Sequence, residues 1–544
     1  MILTPEHLVI APILIPFITG VLLLFFEDRE RRLKASASIL AAIALLMVSI
    51  ELLQISHTDG GRIVVYLLGN WAPPFAINLV LDRLSAMMLM LTSVLAIPAL
   101  IFSLGRWHKA GLHFHTLFLL LLMGLNGAFL TGDLFNLFVF FEVMLAASYG
   151  LALHGSGLLR VRAGLHYIAI NLAASLLFLV GVSLIYGNTG TLSMADLAIR
   201  IPQIAEESRI MLESGIAILG VAFLIKAGMW PLGFWLPTTY TFAPAPVAAI
   251  LTIMSKVGVY VLLRLSLLFF GEEPGISGSF GSPILFFGGL ATIVFGIIGV
   301  LASQALGRLA GFSVLVSSGT LLAIIGLTQV DITAAALFYL VSSTLAISAF
   351  FMLIELVERE QNAISNVLAV TREAFGEGDE EDDDDEEIIG VAIPGSIAVL
   401  GISFAACSIL LAGLPPLSGF IAKFAILTAI LNPEGLGQGG AISSASWWLI
   451  VLLILSGLSA LIAMVRAGIR TFWAPAVTLV PRVLLIEIVP VAMLLFMTLA
   501  LTVQAGPIMH FMEATAVSLH EPRSYIEGVM KALPAAPWQM ETEE

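Results

Sequence analysis

The chain has 544 residues, of which 59% are hydrophobic and 11% charged, whereas a soluble globular domain runs near a quarter charged. That balance excludes a protein folded around a single water-soluble core, and no nucleic-acid partner is expected. The net charge of -14 does not signal a basic partner, because nine consecutive acids, Asp379 to Glu387, carry much of it; such a run is expected to be a solvated loop. The single cysteine, Cys407, allows no internal disulfide and is expected to serve packing.

Apolar runs of roughly 20 residues, the length that crosses a hydrocarbon core of about 30 Å, recur from end to end. In chain order they fall near residues 8–26, 36–55, 78–103, 113–131, 133–153, 164–186, 211–236, 244–269, 283–303, 309–328, 332–356, 394–431, 446–466 and 483–503. The predicted fold is therefore an all-α polytopic membrane protein of about fourteen helices. The first run has its basic cluster after it and no small-residue cleavage pattern, so it is expected to be retained as a span.

Positive charge is held on the cytoplasmic side of bacterial membranes. The odd-numbered loops carry Arg29, Arg31, Arg32, Lys34, Arg106, Lys109, Arg160, Arg162, Arg308, Arg359, Arg372, Arg466, Arg470 and Arg482; the even-numbered loops carry only Arg62, Arg200 and Arg209. A missing span near the middle would erase this asymmetry. It predicts a multi-pass protein of the bacterial inner membrane with both termini outside and the acidic run in the cytoplasm. An internal repeat also shows, since Ala227-Gly228-Met229-Trp230-Pro231-Leu232 answers Ala412-Gly413-Leu414-Pro415-Pro416-Leu417 at an offset of 185 residues. The two copies lie in spans seven and twelve, which run in opposite directions, so the repeats are expected to be inverted. The expected division is 1–112 for spans one to three, 113–270 for a first five-helix repeat, 271–470 for a second with an acidic loop at 359–393, and 471–544 for span fourteen and a tail.

A charged side chain at mid-membrane costs about 2.5 to 3.5 kcal/mol even on the lenient insertion scale. Glu142 in span five, Lys226 in span seven, Lys256 in span eight and Lys423 in span twelve each demand a reason. A static ion pair needs one partner per charge, and three ammonium groups do not balance one carboxylate. A movable Glu142 to Lys226 contact is expected to switch the lysine between holding and releasing a proton. Pro231, Pro415 and Pro416 mark helix breaks: Pro231 cannot bond to Ala227, nor Pro416 to Ala412. Backbone groups freed at membrane depth are tolerated only where protein or water satisfies them, so hydrated cavities are expected beside the lysines.

No histidine occurs between Tyr167 and Met509, so a path from Lys256 to Lys423 must use water and hydroxyls such as Ser317, Ser318, Ser342, Ser343 and Thr344. Asp133 and Asn136 are expected to cap span five, Asp82 and Arg83 to pair locally, and Arg264 to snorkel. His154 and His166 flank a basic loop, where solvated roles compete with one in proton entry. No phosphate loop, metal-spaced Cys/His set or nucleophile elbow appears; no cofactor, metal or catalytic residue is expected.

Four segments together resemble a known family: Phe141-Glu142-Val143-Met144; Ile225-Lys226-Ala227-Gly228-Met229-Trp230-Pro231-Leu232; Ala243-Pro244-Ala245-Pro246-Val247 with Lys256-Val257-Gly258-Val259-Tyr260; and Gly413-Leu414-Pro415-Pro416-Leu417-Ser418-Gly419-Phe420 with Lys423. They are similar to the antiporter-like subunits, which include the proton-channel subunits of respiratory complex I and the large subunits of Mrp-type (Pha/Mnh) cation/proton antiporters. The stretch from Leu236-Pro237 to Tyr240-Thr241-Phe242-Ala243-Pro244 is most similar to the D-type branch of the Mrp subunits. The resemblance implies discontinuous helices seven and twelve and a hydrated polar axis. By motif it gives Glu142 and Lys226 to a carboxylate-lysine pair, Lys256 to a central lysine and Lys423 to a terminal one. It also implies assembly with six other membrane subunits in the lipid bilayer and exchange of Na+ or K+ for protons. Two alternatives stand beside it: a membrane subunit of an NADH-quinone oxidoreductase or hydrogenase, and a scaffold that moves no ions. The chain departs from the family at Tyr339-Leu340-Val341-Ser342-Ser343-Thr344-Leu345-Ala346-Ile347, where many relatives carry Tyr-Leu-x-His-His-x-x-x-Lys, and at Leu306-Gly307-Arg308-Leu309, which lacks a common lysine. A water-filled link, or a path that leaves before span twelve, is expected in their place.

Overall fold

In a computed structural model of the chain, the described residues are 5–27, 30–58, 61–270, 278, 280–375 (side chains to 359), 395–433, 435, 440–473 and 483–534. The acidic run 379–387 lies outside them. Twelve helices among the described residues are long and apolar enough to cross a membrane, and the shorter apolar α2 (Ala11–Leu22) and α5 (Phe114–Leu130) bring the spans to fourteen.

A short α1 (Pro5–Leu8) leads into α2, and α3 (Arg31–His57) returns. The third run does not begin as a helix at residue 78. Asn78–Leu81 forms β2, antiparallel to β1 (Val64–Leu67), and α4 (Arg83–Ser103) starts only where Asp82 accepts from the Ser85 N–H at 2.9 Å. The carboxylate satisfies an orphan donor of the first turn, which sets the boundary. Helix α6 (Leu134–Ala152) begins the same way, with Asp133 accepting from Asn136 N–H at 2.8 Å. Next come α7 (Leu158–Thr189), a short α8 (Met194–Arg200) and α9 (Glu206–Ala227). A short α10 (Trp235–Phe242), α11 (Ala245–Phe270), α12 (Ser282–Ala302), α13 (Leu306–Ile325) and α14 (Val330–Phe375) follow. The last elements are α15 (Gly395–Ala412), α16 (Ser418–Leu431), α17 (Ser444–Gly468), α18 (Leu485–Val503), α19 (Ala505–His520) and α20 (Arg523–Met530).

Spans seven and twelve are both discontinuous, and glycine rather than proline ends their first halves. Gly228 (φ +80°) and Gly413 (φ +75°) cap α9 and α15 in the left-handed conformation that glycine adopts without a Cβ clash. The hydrogen bonds match residue for residue at the 185-residue offset seen in the sequence. Gly228 N–H reaches Leu224 and Ile225 carbonyls and Met229 N–H reaches Leu224, while Gly413 N–H reaches Ile409 and Leu410 and Leu414 N–H reaches Ile409. The prolines lie beyond the caps, where they prevent the helix from resuming. Gly419 brings α16 so close to α15 that a Cβ there would stand 2.2 Å from the Leu410 carbonyl oxygen. Because backbone cannot yield as a side-chain tip can, Gly419→Ala is expected to destabilise by about 1 to 3 kcal/mol, measured as a lower unfolding temperature of the purified protein.

The loops separate into two faces. On one, Leu79 bridges Thr131 and Asp133 bridges Ser193, which joins the connections after spans two, four and six. On the other, Glu355 accepts from Trp107 Nε1 at 2.7 Å and from Ala245 N–H at 3.3 Å, and Arg359 binds Glu355 at 3.1 Å and Glu487 at 2.8 Å. Helices α18 and α19 together line α14 end to end, with Glu487 at Arg359 and His520 Nε2 at 3.0 Å from Thr333. The last apolar run therefore continues through a kink at Gln504 well past residue 503.

Candidate functional site

Lys226 sits on the last turn of α9, immediately before the Gly228 break, and is 6% exposed. Its ammonium donates to Asn171 Oδ1 at 2.5 Å and lies 5.4 Å from the centroid of the Phe141 ring. Asn171 donates its own amide to Tyr167 O at 2.7 Å, which turns its oxygen toward the lysine. Glu142 is on α6, near enough for its charge to act on the ammonium, yet its buried Oε1 has no hydrogen-bond partner. The expected direct contact between Glu142 and Lys226 is thus replaced by a contact with a neutral amide. Two turns further along the same face of α6, the buried Tyr149 hydroxyl is likewise without a partner.

Lys256 lies in a helix buried continuously from Ala245 to Leu265 and is itself 0% exposed. Two residues on, Gly258 lets α11 cross α9 at close range, since a Cβ there would stand 2.8 Å from Ala227 N and 3.2 Å from Lys226 C. The two lysines therefore flank one helix crossing. Lys256 Nζ donates to Ser317 Oγ at 2.8 Å and lies 3.4 Å from Ser318 Oγ. Ser317 in turn lies 2.9 Å from Ser343 Oγ on α14.

Lys423 projects from α16, just after the second break. Its ammonium donates to Ala412 O at 3.2 Å, a carbonyl that the break leaves without a helical partner, and lies 3.5 Å from Ser456 Oγ. A cavity of about 40 Å³ joins this ammonium to Ser317, Ser342 and Ser343, enough for roughly two or three waters. So hydroxyls and a small cavity occupy the stretch around Ser342 and Ser343, and the polar line runs from Lys256 to Lys423. At the first break, beside Lys226, two polar groups find protein partners. Trp230 N–H bonds Thr292 Oγ1 at 2.9 Å and Trp235 Nε1 bonds Ile225 O at 3.2 Å.

Other candidates fall away from this line. Thr344 bonds back to Leu340 O in its own helix, whereas Ser342, though paired with Ser418 at 2.8 Å, stays on the cavity wall. Asp133 is the cap of α6. His154 is buried with Nε2 2.9 Å from Trp107 O; burial, with Arg160 adding, holds its ring below the ordinary imidazole range, so it is neutral at pH 7. His166 is exposed beside Phe234. Pro231, Pro415 and Pro416 stand in the two breaks. Arg264 does not snorkel and Asp82 does not pair with Arg83: the two form a bidentate pair at 2.5 and 2.8 Å, with Tyr260 OH 3.2 Å from the guanidinium. Sequence reasoning missed Asn171 as the Lys226 partner. The only available signal was a lone asparagine in an apolar span.

Fourteen spans, two broken helices in inverted repeats, two buried lysines at one helix crossing and a half-buried third at the far end of a hydroxyl line define an antiporter-like membrane subunit. The family described as NADH:quinone oxidoreductase/Mrp antiporter, transmembrane, matches residues 131–459, and the chain belongs to that family. It is 58% identical over 97% of its length to the D subunit of a probable K(+)/H(+) antiporter of Rhizobium meliloti, covering 98% of that protein. It is 35% identical over 97% of its length to the D subunit of a Na(+)/H(+) antiporter of Alkalihalophilus pseudofirmus, covering all of it. Among solved structures, a chain of the Mrp complex from Dietzia superposes with a TM-score of 0.79 at 25% identity, over 96% of this chain and 99% of that one. A chain of respiratory complex I from Thermus thermophilus shares the fold, with a TM-score of 0.72 at 21% identity over 94% and 99%.

Proposed function

We propose that the chain is the proton-translocating subunit of a multisubunit monovalent cation/proton antiporter, in which protons pass along Glu142, Lys226, Lys256 and Lys423. The observation that carries this reading is the hydroxyl line and cavity between Lys256 and Lys423, deep in a membrane span, with no static ion pair neutralising either lysine among the described residues. Ser317 and Ser343 relay between the two lysines, Ser318 and Ser342 border the route, and Thr344 serves its own helix. The subunit works with other membrane subunits of the complex, six by the family pattern. It sits in the bacterial inner membrane with both termini outside and the arginine-rich loops in the cytoplasm. The potassium in the name of the 58% identical relative makes K+ the first cation to test, and Na+ the second.

The test is cation-dependent pH recovery in everted vesicles from an antiporter-deficient host that expresses the whole complex, with and without Glu142→Ala. Loss of exchange at normal assembly supports the reading. Full exchange in the variant makes the subunit a scaffold, and proton movement that follows electron donors instead of added cation makes it part of a redox pump.

A further inference from the structure

The cavity between Lys256 and Lys423 presents oxygen lone pairs, because Ser313 and Ser456 commit their protons to carbonyls of their own helices and Ser343 is placed to do the same. Ser313 donates to Leu309 O at 2.9 Å and Ser456 to Leu453 O at 2.7 Å, and Ser343 lies 3.3 Å from Leu340 O. Ser317 receives the Lys256 ammonium. A hydroxyl whose hydrogen is used elsewhere can only accept. Ala412 O, freed by the break in span twelve, lies beside them at the Lys423 ammonium, and among the described residues no Asp or Glu lines the space. Neutral oxygens converging on a small volume are the ligands of a hard monovalent cation. Without a carboxylate they would not offset the dehydration of a divalent one. A volume of about 40 Å³ admits a single alkali ion and about one water.

We propose that this cavity binds one monovalent alkali cation in competition with protonated Lys423, so that cation and proton occupy it alternately. The proposal rests on the antiporter reading and adds to it where the cation is held. The Lys423 ammonium is itself a tethered monovalent cation, already seated on Ala412 O and near Ser456 Oγ. When its proton leaves along the relay, the neutral amine no longer needs those oxygens, and an entering cation restores the single positive charge. Both charges together would repel in a medium of low dielectric. The titratable groups that face the cavity are Lys423 from α16 and Tyr339 from α14, with Lys256 from α11 behind Ser317; the lining from α12, α13, α15 and α17 contributes none. Because Lys256 is a second like charge one hydroxyl away, cation entry is favoured further when it too is neutral.

The experiment is equilibrium binding of radioactive rubidium ion to the purified complex across pH, with exchange assayed in parallel in vesicles. The parent is expected to bind rubidium at alkaline pH and to release it as protons are added. The double variant Ser343→Ala with Ser456→Ala is expected to need about tenfold more rubidium for half-saturation, while Ser456→Thr, which keeps the hydroxyl, stays near the parent and shows that packing is not the cause. Lys423→Met, which removes the competitor, is expected to hold rubidium at the acid pH where the parent has lost it. Parental affinity in the double serine variant, or rubidium binding in the parent that ignores pH, overturns the site. If the parent complex exchanges no cation for protons in vesicles, the antiporter reading itself fails; unchanged serine variants in an active complex remove only the site.

Discussion

Lys256→Met is expected to abolish cation-dependent proton exchange in a complex that assembles in normal amount, with pH recovery in everted vesicles as the measurement. Lys256 stands between the two halves: behind it α11 crosses α9 at Lys226, and ahead of it Ser317 and Ser343 lead to the cavity at Lys423. Methionine fills nearly the same unbranched volume and presents no titratable group, so packing survives while the proton site disappears. Removing a buried charge also relieves a cost of about 2.5 to 3.5 kcal/mol, so thermal stability of the variant should equal or exceed that of the parent. Lys256→Arg is the sharper control. A guanidinium keeps the charge but does not release a proton in a protein, so it too should fail to exchange. Activity in either variant would show that protons bypass the centre of the subunit.

Asp82→Ala is expected to destabilise the protein by about 3 to 5 kcal/mol, because it leaves the buried guanidinium of Arg264 without its carboxylate. It also removes the cap of α4, a further cost of about 1 kcal/mol. The readouts are the unfolding temperature and the yield of assembled complex. Asp82→Asn keeps a capping oxygen and loses only the charge, so it should fall between parent and Asp82→Ala. Adding Arg264→Met to Asp82→Ala should recover most of the loss, since no unpaired charge is then buried. Failure of the second substitution to rescue would assign the defect to the cap rather than to the pair.

Asp82 and Arg264 also show where sequence reasoning stops. Each was visible as a charged residue beside an apolar run, and local rules offered Arg83 and the membrane interface as their partners. The true partners lie 182 positions apart. Lys226 follows the same pattern: a carboxylate on span five was the obvious mate by charge, but packing places Asn171, 55 positions away, within hydrogen-bond reach. The kinked continuation through Gln504 to His520 was hidden because α19 carries more polar residues than a span does by itself.

The sequence by itself determined the membrane class, the set of spans, the two breaks and their inverted relation, and the four charged residues worth following. Those features depend on composition over about twenty residues, or on what a residue can do to its own turn, and both are local. Only the tertiary structure decided which groups meet: that glycine caps rather than prolines end the helices, that Lys226 faces an amide, and that serines and a freed carbonyl close around the Lys423 ammonium. These contacts join helices far apart in the chain, and hydropathy constrains how deep a side chain lies in the membrane without specifying which neighbouring helix it faces.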